Sequence, residues 1–210
     1  MHIPDGFLNL PTSTGSIAAS LAALQYAARR VRQQLEQRQV PLLGIMAAFV
    51  FSAQMVNFPV AGGTSGHLVG AALLTILLGP STACLIMTAI LIIQSLVFMD
   101  GGILALGANV LNMAVIAPFS AWAIYRLFYS LPGTASKAAG AFAASWVSVV
   151  LAAVGCSLEL ALSGLPLKPV AYAMLFWHSL IGLGEGALTT AILLYIWKAN
   201  PSWAKEVKTV

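Results

Sequence analysis

Apolar residues run through this chain in long blocks, with polar residues gathered in short stretches between them. A spanning helix needs about 20 mostly apolar residues, within a range of about 17–25. Seven blocks qualify as candidates. The first runs from about Ser13 to Ala28 and is short and partly polar; the second runs from about Pro41 to Val56. The third starts near His67 and ends at Leu78, where Gly79-Pro80 interrupts it, so it is too short to span alone. The fourth covers Ser81 to Met99, the fifth about Ala108 to Phe128, the sixth about Lys137 to Leu158 and the seventh about Pro169 to Lys198. The pattern predicts an all-α integral membrane protein, a single membrane domain over residues 1–210. Within it, 1–12 form an N-terminal segment, 13–198 the helical bundle and 199–210 a tail.

Composition supports that class. Hydrophobic residues make up 60% of the chain and charged ones 8%, against about 45–50% and about 25% in soluble domains. The net charge of +4 is no nucleic-acid signal, because the basic residues fall between apolar runs, where topology signals belong. Arg29, Arg30, Arg32 and Arg38 follow the first block, Arg126 and Lys137 flank the loop after the fifth, and Lys198, Lys205 and Lys208 lie at the carboxyl end. With seven spans these nine share one side, and Lys168 alone lies on the other. That imbalance predicts an amino terminus outside and a carboxyl terminus in the cytoplasm. Cys84 and Cys156 both sit in apolar stretches and read as small buried hydrophobes.

Candidate chemistry begins at residue 1. "MHIPDGF" has no basic leader and is soon broken by proline and aspartate, so it is not expected to act as a signal peptide. Met1 precedes a large residue and is expected to be retained with its amine free. Amine and His2 amide nitrogen can close a five-membered chelate ring on a metal ion; amide and His2 Nδ1 close a six-membered one. Pro4 restrains the chain that leaves the chelate. Three nitrogens in a plane want a fourth, and square-planar nitrogen coordination points to nickel(II) or copper(II). On the dipeptide alone, a mobile terminus with no role fits as well.

His67 changes the balance. It ends "GGTSGH", where Gly62, Gly63 and Gly66 allow close backbone approach to a ligand; an interfacial cap at the start of the third helix is the competing reading. Three segments are predicted to face outward together and fold over one site: residues 1–12, "NFPVAGGTSG" at 57–66 and "DGGILALG" at 100–107. Polar residues available to support that site are Asn57, Thr64, Ser65, Gln94, Asn109 and Asn112. Asn109 and Asn112, three apart, share a helix face; interhelical hydrogen bonding is an equal reading for them. In the seventh block His178 and Glu185 lie two turns apart on one face, with Gly182 and Gly186 in the same row. An intramembrane carboxylate is a functional candidate by default, although a partnered glutamate that fixes helix packing also fits. Gly44, Ala48 and Ser52, spaced by four, make a smooth face for close helix contact, within the molecule or with a partner. The chain has no phosphate-binding "GxxxxGK[ST]" loop, no "HExxH" and no evident nucleophile set, so neither ATP hydrolysis nor another enzymatic activity is expected of it.

"MHIPDGFL", "AGGTSGHLVGAAL" at 61–73 and "HSLIGLGEGALTT" at 178–190 together resemble the substrate-binding (S) component of energy-coupling factor transporters for nickel and cobalt, the NikM/CbiM family. The resemblance covers nearly the whole chain. It implies a four-nitrogen metal site made by the Met1 amine, the His2 backbone nitrogen, the His2 imidazole and the His67 imidazole. The partners it implies are a transmembrane coupling (T) protein, a pair of cytoplasmic ATPases and a small auxiliary membrane subunit. The expected setting is the lipid bilayer of a bacterial plasma membrane, crossed several times. "MHIPDG" is closer to the nickel members than to the "MHIMEG" of cobalt members, so nickel(II) is the expected substrate and cobalt(II), for cobalamin synthesis, the alternative. An S component for a non-metal solute and a ligand-free membrane scaffold are the remaining rivals.

Overall fold

The computed structural model describes residues 1–34, 40–60 and 64–201. Arg38, Gly62, Gly63, Lys205, Lys208 and the tail from 202 onward lie outside the described residues. Helix α1 spans Leu10–Gln34. It begins three residues before the expected Ser13 because Asn9 caps it: the Asn9 side-chain oxygen accepts the Thr12 N–H at 2.9 Å. It also outlasts the apolar run, since arginine and glutamine are good helix formers. The pattern therefore marked the edge of the apolar surface and not the edge of the helix.

Helix α2 covers Val40–Gln54. The stretch expected to be irregular loop then forms a short antiparallel hairpin, β1 Phe58–Val60 and β2 Thr64–Gly66, with Phe58 opposite Gly66 and Pro59 opposite Ser65. Gly66 is required there: a Cβ would lie 2.8 Å from the Phe58 ring. Helix α3 is Ala71–Leu78, only eight residues and all of them buried. Gly70 at φ 77° opens it and Gly79 at φ 86° closes it, conformations glycine adopts without strain. Pro80 then occupies the first turn of α4, Pro80–Val97. Helix α5 runs Leu106–Tyr129, with a π-helical segment at Leu111–Ile116. Helices α6, Thr134–Leu162, and α7, Leu167–Ala199, complete the bundle.

Seven helices are present among the described residues, and four of them, α4 to α7, are long and apolar enough to cross a membrane. Of the other three expected spans, α1 is long but too polar, and α2 and α3 are short. The buried α3 packs against α4, α5 and α6 at the centre of the molecule. Helices α6 and α7 lie close together: a Cβ on Gly182 would meet Trp146 at 3.1 Å, and one on Gly186 would meet Phe142 at 2.9 Å. Gly44, Ala48 and Ser52 line an exposed strip of α2. Both cysteines are free and buried.

Candidate metal centre

The amino terminus is drawn into the bundle. Met1 and Ile3 are fully buried, and His2 is 3% exposed. Backbone polar groups of such a segment need partners, and Ile3 has both of its own. The Ile3 N–H donates to Asn109 Oδ1 at 2.8 Å, and the Ile3 carbonyl accepts from Asn109 Nδ2 at 3.0 Å and from the Gly102 N–H at 2.9 Å. Asp5 accepts the backbone N–H groups of Ile103, Leu104 and Ala105 at 3.1, 2.8 and 3.3 Å. These contacts thread residues 1–5 between the hairpin and the 100–105 turn. The described parts of the three segments expected to face outward therefore come together.

Three nitrogens converge there on a single atom. Ser65 Oγ lies 3.0 Å from the Met1 amine, 3.1 Å from the His2 backbone nitrogen and 3.3 Å from His2 Nδ1. The Met1 amine also donates to the Ser65 carbonyl. These are the three nitrogens of the five- and six-membered chelate, already turned toward one point. His67 stacks on His2 with ring centroids 4.6 Å apart. Its Nδ1–H donates to the Leu68 carbonyl at 2.7 Å, which leaves Nε2 a bare acceptor. That nitrogen is buried and finds no hydrogen-bond partner among the described residues. Buried polar atoms are rarely left unpaired without a reason.

The protonation of His2 is fixed from a distance. Gln54 Nε2 donates to the Val69 carbonyl at 2.6 Å, Gln54 Oε1 accepts from Gln94 Nε2 at 2.9 Å, and Gln94 Oε1 faces His2 Nε2 at 3.1 Å. A backbone carbonyl can only accept, so the relay has one direction. It ends by requiring the proton on His2 Nε2 and leaving Nδ1, the nitrogen expected to chelate, bare. Burial pushes the Met1 amine from its ordinary 8.0 down to about 5. Burial likewise lowers His2, and takes His67 well below its ordinary value. Amine and imidazoles thus offer lone pairs at neutral pH instead of protons. Asp100 sits beside them, with Oδ1 3.2 Å from His2 Nδ1 and Oδ2 accepting from Asn57 Nδ2 at 2.9 Å.

Other expected residues go elsewhere. Thr64 turns its hydroxyl to the Met174 sulfur at 3.0 Å. Asn112 does not share the role of Asn109; on the π-helical segment its amide points to Glu159, donating at 2.5 Å, and Ser16 donates to the same carboxylate at 2.9 Å. His178 and Glu185 do not pair. Glu185 accepts the Val69 N–H at 2.6 Å and the Gly70 N–H at 3.0 Å, and so fixes the backbone two residues beyond His67. His178 donates through Nδ1 to the Met174 carbonyl at 2.8 Å. His67 does not cap α3; Gly70 occupies that position. Gln54, Asp100 and Glu159 were missed in the sequence. Gln54 and Glu159 carried a signal, as polar residues inside apolar helices; Asp100 carried none, as a lone acid in a glycine-rich turn.

Among the described residues no three His, Cys, Asp or Glu side chains group into a metal site. The nitrogen-bearing groups gathered here are instead one terminal amine, one amide and two imidazoles. Such a donor set suits a late transition metal and gives no nucleophile or acid–base pair for catalysis.

A fused nickel transport protein NikMN, described as putative, from Archaeoglobus fulgidus is 44% identical over 96% of this chain, which spans 67% of that protein. A probable fused nickel transport protein LarMN from Lactiplantibacillus plantarum is 38% identical over 92% of the chain, which spans 59% of it. A cobalt transport protein CbiM from Thermosynechococcus vestitus is 34% identical over 94% of the chain and 79% of its own length. The crystal structure of a truncated transition metal transporter superposes with a TM-score of 0.85 at 37% identity, covering 95% of this chain and 99% of that one. The relatives are transport proteins, in keeping with a non-catalytic subunit. The model of the cobalt uptake substrate-specific transmembrane region, CbiM, matches residues 2–203, and with the fold, the buried terminus and these likenesses it shows that the chain belongs to the CbiM/NikM family of nickel and cobalt uptake membrane components.

Proposed function

We propose that this chain captures nickel(II) at the extracytoplasmic face of the cell membrane, as the substrate-binding component of an energy-coupling factor transporter. The ligands are the Met1 amine, the His2 amide nitrogen, His2 Nδ1 and His67 Nε2. The single observation that carries the reading is the convergence of three nitrogens on Ser65 Oγ, with the His67 ring, its Nε2 unpartnered, stacked on His2. Metal–nitrogen distances are about 2.0–2.1 Å, so an ion takes the centre once the Ser65 side chain turns aside. Supporting nickel over cobalt are the planar donor set, the opening "MHIPDG" and the nickel names of the two more similar relatives cited above. ATP hydrolysis falls to a cytoplasmic ATPase pair acting through a transmembrane coupling protein, for which the exposed small-residue strip Gly44, Ala48 and Ser52 is the proposed docking face; a small auxiliary membrane subunit completes the complex.

The test is the metal content and absorption spectrum of protein purified with its native terminus. A yellow, diamagnetic nickel species is expected, absent in His67→Ala. Calorimetric titration that gives no heat with nickel or cobalt would sink the metal reading in favour of a non-metal solute.

A further inference from the structure

The relay that leaves His2 Nδ1 bare makes its contact with Asp100 anomalous. A bare imidazole nitrogen and a carboxylate oxygen are both acceptors, yet they face each other at 3.2 Å. Two acceptors so placed can be bridged by a proton or by a metal cation. If each lies about 2.0–2.1 Å from one ion, a separation of 3.2 Å subtends about 100° at that ion, close to the angle of two neighbouring ligands. Asp100 is also the outermost group of the cluster, its side chain 16% exposed against 3% for His2. It is held in a built turn: its N–H donates to the Gln94 carbonyl at 3.0 Å, and Met99 at φ 55° and Gly101 at φ 93° flank it in the left-handed region. A Cβ on Gly101 would come within 3.2 Å of the His2 ring, so the turn lies directly on the imidazole. The other described carboxylates are committed elsewhere, Asp5 and Glu185 to backbone N–H groups and Glu159 to Ser16 and Asn112.

We propose that Asp100 is the encounter ligand: an arriving divalent transition-metal cation is first held between Asp100 Oδ1 and His2 Nδ1, and Asp100 lets go when the Met1 amine, the His2 amide and His67 Nε2 close the plane. This rests on the metal reading above. Asp100 therefore sets how fast metal is captured and is absent from the final coordination sphere. A single charge in a poorly solvated rim focuses the field on the approaching ion.

The experiment is stopped-flow binding of nickel(II) to wild type, Asp100→Asn and Asp100→Glu, each with the native terminus, followed by the d–d spectrum. Asp100→Asn should lower the association rate roughly tenfold or more and flatten its dependence on ionic strength. Its final spectrum and affinity should match wild type, so its dissociation rate should fall by the same factor as its association rate. Asp100→Glu, which keeps the charge, should stay within a few-fold of wild type. If Asp100→Asn does not fold, Asp100→Ser provides the neutral comparison. Equal association rates for the neutral variant and wild type overturn the proposal. An altered final spectrum also overturns it, since Asp100 would then be a permanent ligand. A wild-type protein that binds no nickel refutes the metal reading itself, an outcome distinct from both.

Discussion

Replacing Gln94 by leucine tests the claim that the His2 tautomer is set from outside the ligand plane. Gln94 Oε1 takes the Nε2 proton of His2 at 3.1 Å, and Gln94 Nε2 ties it to Gln54 at 2.9 Å. Leucine has similar volume and no polar atom. His2 is then free to move its proton to Nδ1, where Asp100 Oδ1 waits at 3.2 Å. That hydrogen bond to a charged group is worth about 1.5–3 kcal/mol, and metal must break it before Nδ1 can bind. The conversion at about 1.4 kcal/mol per tenfold gives nickel binding weaker by about 10- to 150-fold, in line with the 10–100-fold typical of lost outer-shell partners. Folding also suffers, because Gln54 Oε1 is left buried without its donor, at about 1–3 kcal/mol less the gain from a buried leucine. The assay is calorimetric titration with nickel on folded protein in lipid nanodiscs, with 15N imidazole spectra of the metal-free state. Gln94→Leu binding nickel within twofold of wild type would refute the reasoning, as would a wild-type spectrum with the proton on Nδ1.

One residue added ahead of Met1 should abolish tight nickel binding, because the amine leaves the chelate and its fully buried pocket has no room for the extra residue; an extended protein that still titrates with nickel contradicts the ligand set. Nickel binding at pH 7 should release about one proton, from the His2 amide, since amine and imidazoles are already neutral. Release should grow and affinity fall toward pH 5, as titration in buffers of different ionisation enthalpy will measure. The same amine makes metal-free protein less stable as pH falls from 8 to 5: between its ordinary 8.0 and the buried value of about 5 the unfolded state holds more protons, so stability rises with pH. A thermal melt that is flat across that window would contradict it. Glu185→Leu leaves the Val69 and Gly70 N–H groups buried and unpaired, each costing about 1–3 kcal/mol. It should lower the melting temperature markedly, with Glu185→Gln closer to wild type because it keeps one acceptor.

The sequence by itself determined the class and the chemical character of this protein. Bilayer thickness sets a length for apolar runs, so α4 to α7 are legible as blocks, and Gly79-Pro80 is legible as a break because proline has no N–H to continue a helix. The proposed chelate of Met1 and His2 could be drawn from the sequence because its ring sizes follow from covalent connectivity alone. Tertiary structure decided everything that depends on what lies across the bundle. Periodicity carries no sign of which polar residue meets which, so Asn109 and Asn112, three apart on one helix, went to Ile3 and Glu159 respectively. His178 and Glu185 share a face yet do not touch each other, because each found a backbone group first. The hairpin around Ser65 arises from pairing between segments too short and too glycine-rich to announce themselves as strands. Above all, the tautomer of His2 depends on a carbonyl at Val69 reached through Gln54 and Gln94. The proposed ligands follow from covalent, local connectivity; their protonation is a property of the hydrogen-bond network, and only the folded chain builds that network.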